Sequence, residues 1–219
     1  FTEVYYCFDV YYHWLEYSEE MTFNKRDRLM YENAKWIIEN GRKYNDKKTI
    51  IVGHNDHIQK GKYLNSFENK QLGNWLNLYY KEKYYNIGFE FSRGTVNSMD
   101  INTREQKTYH VDKSIKKDLA ARLFEETKTS MFYLDLNDIA HGNAKFKRFI
   151  STVNRYNSIG AVYDERNESF GIDNIIIENM YDAIIYIRDS SSTTICETGV
   201  EVVKAAEKKS PMRVDVIYQ

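Results

Sequence analysis

Apolar residues recur along this chain in two rhythms, one suited to helices and one to buried strands. Tyr5, Phe8, Tyr12 and Leu15 lie three or four apart, which predicts an amphipathic helix over residues 1–21. Asn24 is placed to cap a second helix running to about Asn40, with Met30, Ala34, Ile37 and Ile38 apolar and Gly41 as terminator. Residues 49–53 are short, β-branched and apolar, as in a buried strand, and lead straight into His54, Asn55, Asp56 and His57. Leu72, Trp75, Leu76 and Tyr79 predict a helix to about Lys83, followed by a strand over 85–92 that Arg93 and Gly94 end.

A weaker extended pattern covers 95–111, with a helix over 115–127, a strand over 131–136 and a helix over 144–153. Residues 159–163 start another extended segment, and 180–189 form the last strand. Strands alternating with helices predict an α/β fold, a mostly parallel central sheet flanked by helices. The run of Ser and Thr over 190–194 marks a boundary, giving one domain over 1–190 and a tail over 191–219. In that tail Val200, Val202, Val203 and Ala206 fit either a short helix or an edge strand.

The charge balance narrows the partners. With 31 basic and 32 acidic residues the formal net charge is −1, so there is no electrostatic footprint for nucleic acid or an anionic membrane. No run of 18 apolar residues exists to span a bilayer. The 19 Tyr and 11 Phe fit a Tyr-rich core better than a purpose-built cleft. Two distant cysteines, Cys7 and Cys196, are too few for a disulfide framework and are expected to be free thiols, although a single disulfide would also be consistent. A start at Phe1, without a signal-peptide pattern, is expected of a piece of a longer polypeptide.

Candidate chemistry concentrates at 54–57. Polar residues at the end of a buried strand are where open α/β sheets hold ligands, and imidazole titrates near neutral pH. Three readings stand: histidines that polarise a carbonyl, hold water or protonate a leaving alcohol; a metal site using the His-x-x-His spacing; or histidines that tie a strand end to neighbouring loops. The metal reading is the weaker of the first two, since no HExxH motif is present. On pattern alone the structural reading outweighs either other. His13, His110 and His141 are expected to serve packing, surface and turn. Asp27, in the first turn of its helix, is expected to interact with the helix dipole. Glu90 is either a cleft carboxylate or half of an ion pair with Arg93, whose guanidinium is expected to face a cleft. No GxSxG, P-loop or GxGxxG motif is present, which sets aside serine hydrolases and nucleotide-binding enzymes.

Five segments, in order, resemble the erythromycin esterase family. They begin with Arg26, Asp27, Met30, Asn33 and Trp36-Ile37, and continue with Ile50 to His57, the last four residues matching the family's HNxH string. Next come Gly73, Leu76, Tyr85, Ile87-Gly88-Phe89 and Gly94, then Ile159-Gly160-Ala161-Val162-Tyr163, then Asp182-Ala183-Ile184-Ile185-Tyr186-Ile187. Together they cover about residues 25 to 190. The resemblance implies a metal-independent esterase without cofactor, whose resistance members open macrolide lactones; other members carry labels tied to succinoglycan biosynthesis.

The family's general base lies in a GExxHG motif that this chain lacks, so the resemblance implies an incomplete part of a larger fold. The partner is then the missing N-terminal part of the same protein, and this chain alone is expected to show little or no esterase activity. His54 and His57 inherit the catalytic role by position, orienting water or substrate. Asn55, Glu90, Arg93 and Trp75 are the candidates to contact a small ester or lactone. The alternatives are a binding domain that keeps the fold without catalysis, and a metal-dependent hydrolase using His54 and His57. A cytoplasmic location is expected, since resistance enzymes act on drug inside the cell, and an upstream signal peptide would make it secreted.

Overall fold

The structure, a computed structural model, describes residues 19–42, 48–61, 70–112, 119–140, 143–167 and 169–194. The expected helix ahead of residue 19 lies almost wholly outside these residues, as do both cysteines, His13, His141 and the tail beyond Thr194.

The first element, α1 (Glu19–Arg42), begins five residues before the expected start, so Asn24 lies inside it rather than capping it. Tyr31 and Ile38 are buried along one side, where α1 packs against α3 (Leu72–Tyr80) through Leu72 and Leu76. Between these helices lie residues 48–54, which carry no regular secondary structure, and the single turn α2 (Asn55–Ile58). The strand expected over 49–53 is therefore absent. Ile50 and Val52 are 87% and 93% exposed, so the apolar pattern is real but no neighbouring strand pairs with it here.

A short 3-10 turn leads from α3 into β1 (Ile87–Asp100), which runs on through Gly94 instead of ending there. Gly94 has φ of +139°, and a Cβ on it would fall 1.8 Å from the Ser190 carbonyl oxygen. Only glycine allows the long strand to pass its neighbour at this point. A tight turn joins β1 to β2 (Gln106–Asp112), which converts the weak extended pattern over 95–111 into an antiparallel hairpin.

The chain continues through α4 (Ala120–Glu125), β3 (Met131–Asp135), α5 (Leu136–Ala140) and α6 (Ala144–Ile150). Then follow β4 (Val153–Asn157), β5 (Val162–Tyr163), β6 (Ile172–Ile176), α7 (Ile177–Met180) and β7 (Ala183–Ser190). The main sheet has the order β2-β1-β7-β3, with β5 also paired to β1. The pairings of β1 with β7 and with β5 are parallel, whereas those with β2 and between β3 and β7 are antiparallel. The expected α/β fold, a central sheet flanked by helices, is present; the sheet is mixed rather than purely parallel. The β1–β2 hairpin supplies one antiparallel pair, and the edge strand β3, distant in sequence from β7, supplies the other. A second, two-stranded sheet pairs β4 with β6.

The two faces of the main sheet differ. Phe132, Tyr186 and Glu90 share one row across β3, β7 and β1, and Leu134, Ile184 and Gly88 the next. This face is covered by Phe124, Ile150, Ile177, Met180 and the β4–β6 hairpin residues Tyr156 and Ile175. On the opposite face, Met131, Tyr133 and Phe89 are each more than half exposed.

Candidate functional site

The turn of α2 is pinned from three sides before either histidine does any chemistry. The Asn55 side chain donates to the Phe89 carbonyl (2.6 Å) and accepts from the Phe89 N–H (2.9 Å), so its amide stands where a neighbouring strand would pair with β1. Asn74, buried on α3, donates to the carbonyls of Gln59, Lys60 and Gly61. Gly73 lets α3 approach that backbone, because a Cβ there would lie 2.3 Å from the Ile58 carbonyl. Asn86 and Tyr84 both donate to the Ile58 carbonyl oxygen.

His57 faces α1. Its Nδ1 donates to Asp27 Oδ2 (2.9 Å), and Arg26 Nη1 donates to its Nε2 (3.2 Å). A guanidinium has no acceptor, so the network assigns the proton to Nδ1 and the lone pair to Nε2. Asp27 is 2% exposed and its Oδ2 also accepts the backbone N–H of Leu72 at the start of α3 (2.9 Å). One carboxylate oxygen thus ties α1, α2 and α3 together.

His54 caps α2 from the other end. Its Nδ1 accepts the N–H of Asp56 (3.3 Å) and its Nε2 donates to the Ile159 carbonyl (2.9 Å). Asp56 Oδ2 lies 3.4 Å from the same Nδ1. Hydrogen bonding to Asp56 is the largest influence on this imidazole and raises its pKa above the ordinary 6.5, partly opposed by burial. Ser158 sits behind Asp56, with its Oγ 3.3 and 3.5 Å from the two carboxylate oxygens.

The other candidates are placed differently. Asn55, on α2, binds β1 by both ends of its amide. Glu90 is 1% exposed on the covered face, where it accepts from Phe91 N–H (2.9 Å) and from the side chain and backbone of Asn157. Arg93 pairs with Glu125 (2.8 Å) and Asp189 (2.7 Å) across β1, α4 and β7. Trp75 belongs to the α1–α3 interface, stacked on Tyr31 and flanked by Arg28 at 4.5 Å and Lys70 at 4.4 Å. The structure therefore brings His54, His57 and Asn55 together on one turn, while Glu90, Arg93 and Trp75 each answer to other partners. His110 is exposed on β2.

A cleft of about 550 Å³ opens beside the Lys60–Asp182 ion pair, lined also by Asn77, Tyr84, Tyr85 and Asn137. Neither histidine lines it. Among the described residues no group of three or more His, Cys, Asp or Glu side chains is arranged to hold a metal ion. No helix among them is long and apolar enough to cross a membrane.

Sequence reasoning gave Asp27 only a first-turn dipole role, although the helix begins at Glu19, gave Arg26 only a place in the family-like motif, and passed over Ser158. Asp27 carried a legible signal: with Tyr31, Ala34 and Ile38 it falls four, seven and eleven residues apart on the buried side of α1. A carboxylate in line with an apolar stripe has to find buried donors.

The chain thus sets an imidazole-bearing turn against one side of a mixed sheet flanked by helices. The sequence profile of the erythromycin esterase family matches residues 4–190, and the chain belongs to that family. A Bacillus cereus protein of known structure is 26% identical with a TM-score of 0.66, over 78% of this chain and 39% of its own. A succinoglycan biosynthesis protein is 17% identical with a TM-score of 0.65, over 80% of this chain and 40% of its own. A histidine-to-asparagine variant of erythromycin esterase EreC, in its open conformation, is 18% identical with a TM-score of 0.52 over 77% and 38%. The last two likenesses concern the fold alone. This chain spans about two fifths of each of these structures. No curated protein matches it.

Proposed function

We propose that this chain supplies one wall of a hydrolytic site that opens esters, lactones included, by imidazole-assisted attack of water. The observation that carries the reading is the buried Asp27 carboxylate on His57 Nδ1. A carboxylate in that position fixes tautomer and ring orientation and stabilises an imidazolium if one forms, which is the orienting role in acid–base hydrolysis. Arg26, donating to Nε2, brings a permanent cation beside the ring, a group suited to stabilise charge that develops on a carbonyl oxygen bound nearby. His54, half-exposed and made more basic by Asp56, is suited to orient water or hand a proton to a leaving alcohol.

The family's GExxHG base is absent from this chain, so its share of the reaction is orientation and charge stabilisation, completed by the remainder of a larger protein. That remainder would also cover the apolar residues Phe89, Tyr133 and Met131 on the open face. The substrate class is a small ester or lactone, with a macrolide ring as the candidate the family name suggests.

The test compares hydrolysis of erythromycin and of 4-nitrophenyl acetate by the polypeptide as its gene encodes it and by these 219 residues alone. The encoded polypeptide is expected to hydrolyse at least one, and the isolated chain neither. Turnover by the isolated chain, lost in His54→Ala, would refute the division of labour.

A non-catalytic binding domain is favoured by one specific observation: both nitrogens of His57 already have partners within the protein. Under that reading His57→Ala lowers stability and leaves hydrolysis by the encoded polypeptide unchanged.

A further inference from the structure

One edge of β1 is closed by side chains where β2 leaves it uncovered. β2 pairs with β1 only from Arg93 onward. Ahead of that point Phe89 and Phe91 lie two residues apart, so their main-chain groups face the same edge, about 6.6 Å from one another. The Asn55 amide accepts the Phe89 N–H (2.9 Å) and donates to the Phe89 carbonyl (2.6 Å), where the Tyr156 hydroxyl also donates (3.3 Å). Phe91 gives its N–H to the Glu90 carboxylate (2.9 Å), and its carbonyl accepts from the Asn157 amide (2.8 Å). Asn157 donates to Glu90 as well.

These two grips lead to the same imidazole from opposite sides. Asn55 opens α2 directly after His54. Asn157 closes β4 and is followed by Ser158 and Ile159, whose carbonyl accepts from His54 Nε2 (2.9 Å). We propose that Asn55 is a positioning residue for His54, hanging the ring on the same strand edge that carries its Ile159 acceptor. The distance between ring and acceptor is then set by one strand rather than by the turn and loop that bear them. Asn55 acts through the ring and not on the substrate, so the inference deepens the reading of His54 as a working imidazole and rests on it.

The acceptor side is fixed independently of the ring. The Ser158 N–H donates to the Gly171 carbonyl (2.8 Å), Ser98 Oγ to the Gly160 carbonyl (2.9 Å) and the Met99 N–H to the Ala161 carbonyl (2.9 Å). Gly171 has φ of +68°, and a Cβ there would lie 2.8 Å from Ile159 Cγ1, so glycine is needed for this loop to close. A loop held at so many points does not follow the ring when α2 moves. The C-terminal end of α2 is tied through the Ile58 carbonyl to Tyr84 and Asn86, whereas the end next to His54 reaches β1 through Asn55. A side-chain amide carries the donor and acceptor of a peptide group, so α2 grips the strand edge while its own backbone stays helical.

Ring position can be read without substrate. His54 Cε1 lies 4.0 Å from the place a Cβ on Gly160 would take, close enough for a nuclear Overhauser effect between the ring Hε1 and the Gly160 Hα protons. In the encoded polypeptide, labelled at His and Gly, this effect is expected in wild type and is expected to be lost in Asn55→Ala. An effect absent from wild type, or retained in Asn55→Ala, overturns the proposal. Should Asn55→Ala not fold, Asn55→Asp takes its place, since it keeps the acceptor for the Phe89 N–H and loses the donor to the carbonyl. The effect is then expected to weaken, and full strength overturns the proposal. With an ester that the polypeptide hydrolyses, Asn55→Ala is expected to lower kcat by about 10-fold or more and to leave KM within about twofold, as misplacement of a reacting group does. A displaced ring with kcat at the wild-type level would instead count against His54 as a working imidazole, and so against the proposed function.

Discussion

The two ends of one helical turn teach more than either alone. His57 meets a carboxylate whose side chain is 3% exposed, on a helix, whereas His54 meets one that is 34% exposed, on its own turn. Asp27 is held by the backbone of α3 as well as by the imidazole, so moving it disturbs three helices at once. Asp56 is held by Ser158 in a loop, and its ring partner rests on a loop carbonyl. Identical side chains three residues apart thus acquire different characters. One is a fixed, oriented ring, and the other is an accessible ring whose basicity a neighbour sets.

The sharpest way to break this contrast is to remove each carboxylate and measure the urea midpoint. Asp27→Ala strands the His57 and Leu72 N–H donors in a buried site and is expected to cost about 3 kcal/mol. Asp56→Ala removes a partly exposed pair and is expected to cost under about 1 kcal/mol. Equal losses would mean that the two ends are not different in kind.

The smallest effect is a pH dependence. The pKa of His54 is raised on folding, so its contribution to stability is fully present below the ordinary 6.5 and disappears as pH rises through the folded value. The stability difference between wild type and Asp56→Ala should therefore be larger near about pH 5 than near about pH 8. The opposite slope would mean that Asp56 does not favour the protonated ring.

Much of the fold was legible from local pattern, because helices and central strands carry their own periodicity. The helix over Leu72 to Tyr80, and the strands at 131 and 183, appear nearly where the apolar spacing put them. Misreadings arose where partners distant in sequence decide. Residues 49–53 have a strand's composition, but strand formation needs a neighbour to bond with, and none is adjacent among the described residues. The β4–β6 hairpin escaped notice because Asn154, Arg155 and Asn157 are poor strand formers held by pairing across the hairpin.

In the site, the His54–His57 turn was visible as a motif, yet its partners were not. Asp27 looks like an ordinary first-turn acid until α3 delivers the Leu72 N–H to it. Ser158 lies more than 100 residues from Asp56, on a loop position without a local signature.

The decisive measurement is a double-mutant cycle on kcat/KM for an ester that the encoded polypeptide hydrolyses, using Asp27→Asn, His57→Ala and the double variant. If the buried carboxylate orients the ring for catalysis, each single change lowers kcat/KM by about 10²-fold or more, and the double variant is no worse than the poorer single. Single variants that lose stability while kcat/KM stays within about twofold of wild type would contradict a catalytic role for the pair.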